Sequence, residues 1–180
     1  MISIVLVKNC VLRDRIDFDL GGEGPNLTSL EEEGVIRPKD VKEIAKKINR
    51  LKKDEVYIFG AAGYQYISSS SIILKTLRKH LKNMQYNQER GCNPAFTAEE
   101  GNIDEIVEYC KEWVAFNDDV IMVADVHGDF FSEIPTRLAK EFNLKQETKE
   151  DAYLLPGSAI IIDFKNKKIE LFWEAVRQER

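Results

Sequence analysis

Short apolar runs alternate along this chain with segments in which apolar residues recur every three to four positions. Continuous apolar runs bounded by polar residues predict strands buried on both faces, and the wider spacing predicts amphipathic helices. The predicted strands are Ile2 to Val7, Val56 to Phe59, Val120 to His127, Ala159 to Phe164 and Lys168 to Phe172. The predicted helices are Pro38 to Leu51, Tyr66 to Leu81, Asn102 to Val114 and Phe131 to Phe142.

This alternation of strands and helices predicts a three-layer α/β/α fold with a mostly parallel sheet. The last two strands are joined by Lys165-Asn166-Lys167, which is typical of a tight hairpin and adds an antiparallel edge strand. No internal repeat or low-complexity linker interrupts the pattern. The 180 residues are enough for one hydrophobic core, so we expect a single domain over residues 1–180.

The composition excludes several classes of protein. A net charge of −5 argues against a broad nucleic-acid-binding surface, which needs a basic face. No apolar stretch has the length of a membrane span. Three scattered cysteines are too few for a disulfide framework and suggest reduced thiols. We therefore expect a cytoplasmic protein that binds neither nucleic acid nor membrane, and the composition leaves its oligomeric state open.

The candidate chemistry lies where two of the predicted strands end. The central strand ends in Asp125-Val-His127-Gly128-Asp129, and the first strand is followed by Lys8 and Asn9. In open α/β sheets, ligands bind in the crevice beyond the carboxyl ends of the strands. If the two strands are neighbours, a cation, an amide and an imidazole meet at one edge. These groups can donate to the oxygens of a phosphoryl group.

At these residues the chain resembles the histidine phosphatase superfamily, also called phosphoglycerate mutase-like. Four segments carry the resemblance, in the family's order and over nearly the whole length. The segment Ile4 to Cys10 lies where the family has a strand ending in Arg-His-Gly, and Pro25-Asn-Leu27-Thr28 with Gly34 resembles its Pro-Leu-Thr-x-x-Gly segment. Val120 to Gly128 resembles its late strand ending in His-Gly, and the segment beginning Leu155-Pro-Gly157-Ser158 resembles its closing strand. The resemblance implies a phosphoglycerate mutase-like fold.

The chain departs from the family at the residues that carry the chemistry. The family's first-strand histidine becomes phosphorylated, and Asn9 stands there; an amide is neither a base nor a useful nucleophile. Lys8 replaces the neighbouring arginine. It keeps the positive charge but lacks the planar guanidinium, which can donate two parallel hydrogen bonds to one phosphate. The family's second arginine has no counterpart between residues 59 and 71, and Glu89 is the counterpart of its acid. His127 is retained.

The resemblance therefore implies a phosphatase-shaped pocket without the covalent step, that is, a pseudoenzyme. It implies binding of a phosphorylated or other anionic small molecule, without a cofactor. Arg13 follows the first strand and can restore positive charge to the pocket. The expected ligand-binding residues are Lys8, Asn9, Arg13, His127 and Gly128.

Two alternatives stay open at this stage. In the first, the protein is an active phosphatase or phosphoesterase in which His127 or Glu89 activates water. In the second, it is an interaction protein with a vestigial pocket. Asp125, His127 and Asp129 also resemble the first metal motif of calcineurin-like metallophosphoesterases, but the further ligands of that family are missing. We therefore expect no metal site, and Asp125, His127 and Asp129 are only weak candidates for one.

Overall fold

The computed structural model describes residues 2–8, 36–59, 67–85, 103–116, 119–126, 128–148 and 154–176. The strands in these ranges are β1 (Ser3–Lys8), β2 (Glu55–Phe59), β3 (Met84–Gln85), β4 (Val120–Val126), β5 (Lys145–Gln146), β6 (Ala159–Asp163) and β7 (Lys168–Trp173). The helices are α1 (Pro38–Arg50), α2 (Ile67–His80), α3 (Ile103–Phe116) and α4 (Gly128–Phe142).

The strands form one mostly parallel sheet in the order β3-β2-β4-β1-β6-β7-β5. Among the described strands, only β6 runs opposite to the rest, since it is antiparallel to both β1 and β7. The predicted fold class is confirmed. The antiparallel strand, however, lies inside the sheet and not at its edge, because β5 pairs in parallel with the outer side of β7.

Two apolar clusters cover the two faces of the sheet and make three layers. Alternate residues of β1 belong to different clusters: Ile4 and Leu6 pack with α3 and α4, whereas Val5 and Val7 pack with α1 and α2. Strand β4 is buried along its whole length for the same reason. This double burial explains why the central strands are continuous apolar runs in the sequence.

Local signals explain where several elements begin and turn. Pro38 is the first residue of α1, where its missing N–H costs no helical hydrogen bond. The predicted hairpin between β6 and β7 is confirmed, and Asp163 stabilises its turn by accepting hydrogen bonds from the backbone amides of Lys165 and Asn166. Lys167 has a φ of 52°, in the left-handed region.

The prediction was wrong in two further respects. Helix α4 begins at Gly128, three residues before the predicted start at Phe131. The sequence pattern also missed strands β3 and β5, because a two-residue strand is too short to show any periodicity.

Candidate functional site

Strands β1 and β4 are parallel neighbours that end side by side. Their register pairs Val7 with Asp125 and Lys8 with Val126, at the end of each strand. This arrangement confirms that two segments more than a hundred residues apart finish at the same edge of the sheet. Asn9 and His127 are the next residues of the two segments; both lie outside the described residues, as do Arg13 and Glu89.

A helix begins at the same edge. Helix α4 starts at Gly128, two positions after the last residue of β4, and continues for 15 residues. The first N–H groups of a helix have no partner within the helix, and together with the helix dipole they give its N-terminus a partial positive charge. The short connection therefore places a positive helix end next to the carboxyl ends of β1 and β4.

The side chain of Lys8 lies against the first turn of α4. Its ammonium is 5.8 Å from the ring centroid of Phe131, the fourth residue of that helix. The same ammonium donates a hydrogen bond of 2.8 Å to the carbonyl oxygen of Leu154. The sequence placed a cation at this edge, and the structure adds that Leu154 and Phe131 hold it.

A tight turn forms the next part of the edge, immediately before β6. The Ser158 amide donates to the Leu155 carbonyl at 3.0 Å, which closes a four-residue turn with Pro156 and Gly157 at its centre. Gly157 has a φ of +86°. Proline followed by a glycine with positive φ is the signature of a type II turn. The Leu-Pro-Gly-Ser segment contains this local signal for a turn, although the sequence-based expectations included no turn here, and its contact with Lys8 is invisible in the sequence.

Asp125 is a buried carboxylate close to this edge, with 1% of its surface exposed. Successive side chains of β4 lie on opposite faces of the sheet. Met122, Ala124 and Val126 pack towards α3 and α4, and Asp125 has the other parity. Asp125 therefore shares the opposite face of the sheet with Ile121 and Val123. Consequently, the Lys8 ammonium and the Asp125 carboxylate belong to different faces of the sheet.

Within the described part of the chain, no three metal-ligating side chains lie close enough together to hold a metal ion. The weak sequence candidate combined Asp125, His127 and Asp129. The position of His127 and the side chain of Asp129 are outside the described residues, so the expectation that these three residues hold no metal stays a prediction.

The cysteine in α3 has no nucleophilic character. Cys110 is a free thiol that is fully buried in the apolar cluster between the sheet and helices α3 and α4. This burial raises its pKa to about 12, because the thiolate would lose its hydration. A thiol that stays protonated at neutral pH does not attack electrophiles.

A second polar cluster packs behind the turn and was missed by the sequence analysis. Asp40, in the first turn of α1, is 4% exposed. Its carboxylate accepts hydrogen bonds from the Arg37 Nε at 2.8 Å and from the Trp173 indole Nε1 at 3.2 Å. An aspartate at this helix position is ordinarily a solvated residue, so nothing in the local pattern distinguishes it.

The described helices include none that is both long and apolar enough to cross a lipid bilayer.

No protein-family model matches the chain, and no curated protein matches it in sequence. Among solved structures, the fold is similar to the crystal structure of a phosphoglycerate mutase from Plasmodium falciparum, with a TM-score of 0.51 and 14% sequence identity. The alignment covers 99% of this chain and 96% of that chain. The chain therefore has a phosphoglycerate mutase-like fold, as the resemblance in its motifs implied.

Proposed function

We propose that this protein is a catalytically degenerate relative of the histidine phosphatases that binds a phosphorylated or other anionic small molecule. The binding site is the edge at which β1 and β4 end. One observation carries the proposal: the Lys8 ammonium lies 5.8 Å from an aromatic ring in the first turn of α4, next to the paired ends of the two strands.

Two sources of positive potential meet at this edge. Lysine binds phosphate as a compact point charge, and the first turn of a helix offers backbone N–H donors. The Lys8 ammonium donates a hydrogen bond to the Leu154 carbonyl. In the proposed complex, the same ammonium also donates to the anion. Asn9, Arg13, His127 and the backbone at Gly128 complete the proposed set of ligands.

The same site is unsuited to the phosphoenzyme chemistry of the histidine phosphatases. That chemistry requires a histidine nucleophile on the first strand, and Asn9 follows Lys8 there. An amide can still hydrogen-bond a phosphate oxygen through its NH₂ group. We therefore propose that the protein binds its ligand without turning it over, and that it acts in the cytoplasm, where thiols such as Cys110 remain reduced.

Phosphate-dependent thermal unfolding tests the binding. A ligand at about 100 times its Kd stabilises the folded state by about 2.7 kcal/mol, which raises the Tm of a chain of this length by roughly 5–10 °C. We expect inorganic phosphate and sugar phosphates to raise the Tm above that in chloride at equal ionic strength. Lys8→Met should weaken phosphate binding about ten-fold, since one charge-assisted hydrogen bond contributes on the order of 1.5 kcal/mol.

Lys165→Met is the matched control. Lys165 is an exposed lysine in the hairpin after β6, at the opposite edge of the sheet. Its loss removes one positive charge but should leave the phosphate-induced shift unchanged. The absence of a shift with any anion would refute the binding and favour a vestigial pocket. Hydrolysis of phosphomonoesters that is abolished by His127→Ala would refute the non-enzymatic part of the proposal.

A further inference from the structure

Lys8 joins the end of β1 to the segment before β6 by three hydrogen bonds. Its ammonium donates to the Leu154 carbonyl, and its backbone N–H donates to the Ser158 carbonyl, both at 2.8 Å. Its own carbonyl accepts a hydrogen bond from the Gly157 amide, also at 2.8 Å. Residues 154–158, which we term the edge turn, are thus bound on one side by Lys8, which is distant in sequence.

The other side of the edge turn is held by the C-terminal part of the chain. The Ser158 hydroxyl is fully buried and accepts a hydrogen bond from the Ala175 amide at 3.0 Å. Gly157 packs close to Ala175 and Asp40: a Cβ added at Gly157 would lie 3.8 Å from the Cβ of each. Side-chain contacts therefore fix the turn on this side. At its other end, the Lys8 ammonium binds the Leu154 carbonyl, and the Leu154 side chain is buried in the apolar cluster.

We propose that Lys8 is a positioning residue as well as a ligand. Its ammonium holds the edge turn in place, and the order of this turn is coupled to anion binding at the neighbouring site. The coupling rests on the proposed function. An anion that accepts a hydrogen bond from Lys8 restricts the same ammonium that holds Leu154, so the anion and the ordered turn stabilise each other. Such coupling is reciprocal by thermodynamic necessity.

The rate of amide hydrogen exchange measures how often the edge turn opens. The Gly157 and Ser158 amides both donate to backbone carbonyls, so their exchange rates report on opening of the edge turn. We expect Lys8→Met to accelerate exchange at both amides by five-fold or more. We also expect inorganic phosphate to slow exchange there in the wild type but not in Lys8→Met.

Gly157→Ala separates positioning from direct contact, because it disturbs the turn and keeps Lys8. Its effect comes from the backbone: φ is +86°, whereas the added methyl group would make only ordinary van der Waals contacts. If the edge turn is coupled to the site, this variant should bind phosphate about five-fold more weakly, within the usual range of coupling. Ile48→Val, a core change in α1, controls for general destabilisation and should bind phosphate normally.

The two proposals fail in different ways. If phosphate binds but Gly157→Ala retains wild-type affinity, or phosphate leaves turn exchange unchanged, the coupling is refuted and anion binding stands. If wild-type protein binds no phosphate, the proposed function and the coupling both fall. Exchange without phosphate still decides the positioning role: equal rates at Gly157 and Ser158 in Lys8→Met and wild type would refute it, and faster rates in the variant would support it.

Discussion

Replacement of Asp40 by alanine is expected to cost far more stability than an aspartate in the first turn of a helix usually provides. The carboxylate is 4% exposed and accepts hydrogen bonds from Arg37 and Trp173. Arg37 also donates to the Val176 carbonyl, so this cluster ties α1 to the segment that follows β7. Without the carboxylate, the indole N–H and the guanidinium both lose an acceptor.

The magnitude follows from these contacts. A hydrogen bond to a charged group contributes about 1.5–3 kcal/mol, and an acidic residue in the first turn of a helix adds about 0.3–1 kcal/mol. About a fifth of the Arg37 side chain is exposed, so water replaces part of its lost interaction. We therefore expect Asp40→Ala to lower the free energy of unfolding by about 2–4 kcal/mol. Asp40→Asn, which keeps one acceptor, should lose about half as much.

Urea unfolding monitored by far-ultraviolet circular dichroism measures these differences by linear extrapolation. Glu43→Ala is the matched control on the same helix, because Glu43 pairs with Lys46 on the exposed surface. Exposed pairs contribute little to stability, so this control should unfold like the wild type. The reasoning is wrong if Asp40→Ala stays within about 0.5 kcal/mol of the wild type, the range of ordinary surface substitutions.

Three further predictions concern residues outside the site. Iodoacetamide at pH 8 should leave Cys110 unmodified in the native protein and label it in urea, as peptide mass spectrometry would show, because burial raises its pKa to about 12. A hydrogen bond from Lys53 lowers the pKa of Asp119, so the stability that Asp119 provides is present above the pKa of an unfolded aspartate and is lost as the pH falls through the lower, native value. The difference in Tm between wild type and Asp119→Asn should accordingly shrink on acidification, and an unchanged difference would contradict this. Lys167→Gly should raise stability by about 0.5–1 kcal/mol in urea unfolding, since the left-handed backbone at this position disfavours a side chain; a loss of stability would show that the side chain is needed.

Local pattern was sufficient to predict most of the architecture. Burial on both faces leaves continuous apolar runs, which identified β1 and β4, and an apolar stripe with Pro38 at its start identified α1. The start of α4 was misjudged because Gly128 is a poor helix former. Its low helix propensity gave no indication that it is the first residue of the helix. The outcome for the site was similar. The polar strand ends indicated an edge with Lys8, but nothing local indicated the partner of its ammonium.

The sequence by itself determined which of the longer segments become strands and helices, because hydrophobic periodicity is a property of neighbouring residues. It also determined that a lysine, and not an arginine, ends the first strand, and that an asparagine follows it. Only the tertiary structure decided that β6 lies between β1 and β7, that Lys8 donates to Leu154, and that Asp40 accepts from Trp173. The last two contacts join residues 146 and 133 positions apart, respectively. Such contacts depend on how whole faces pack together, and that packing is a property of the complete chain.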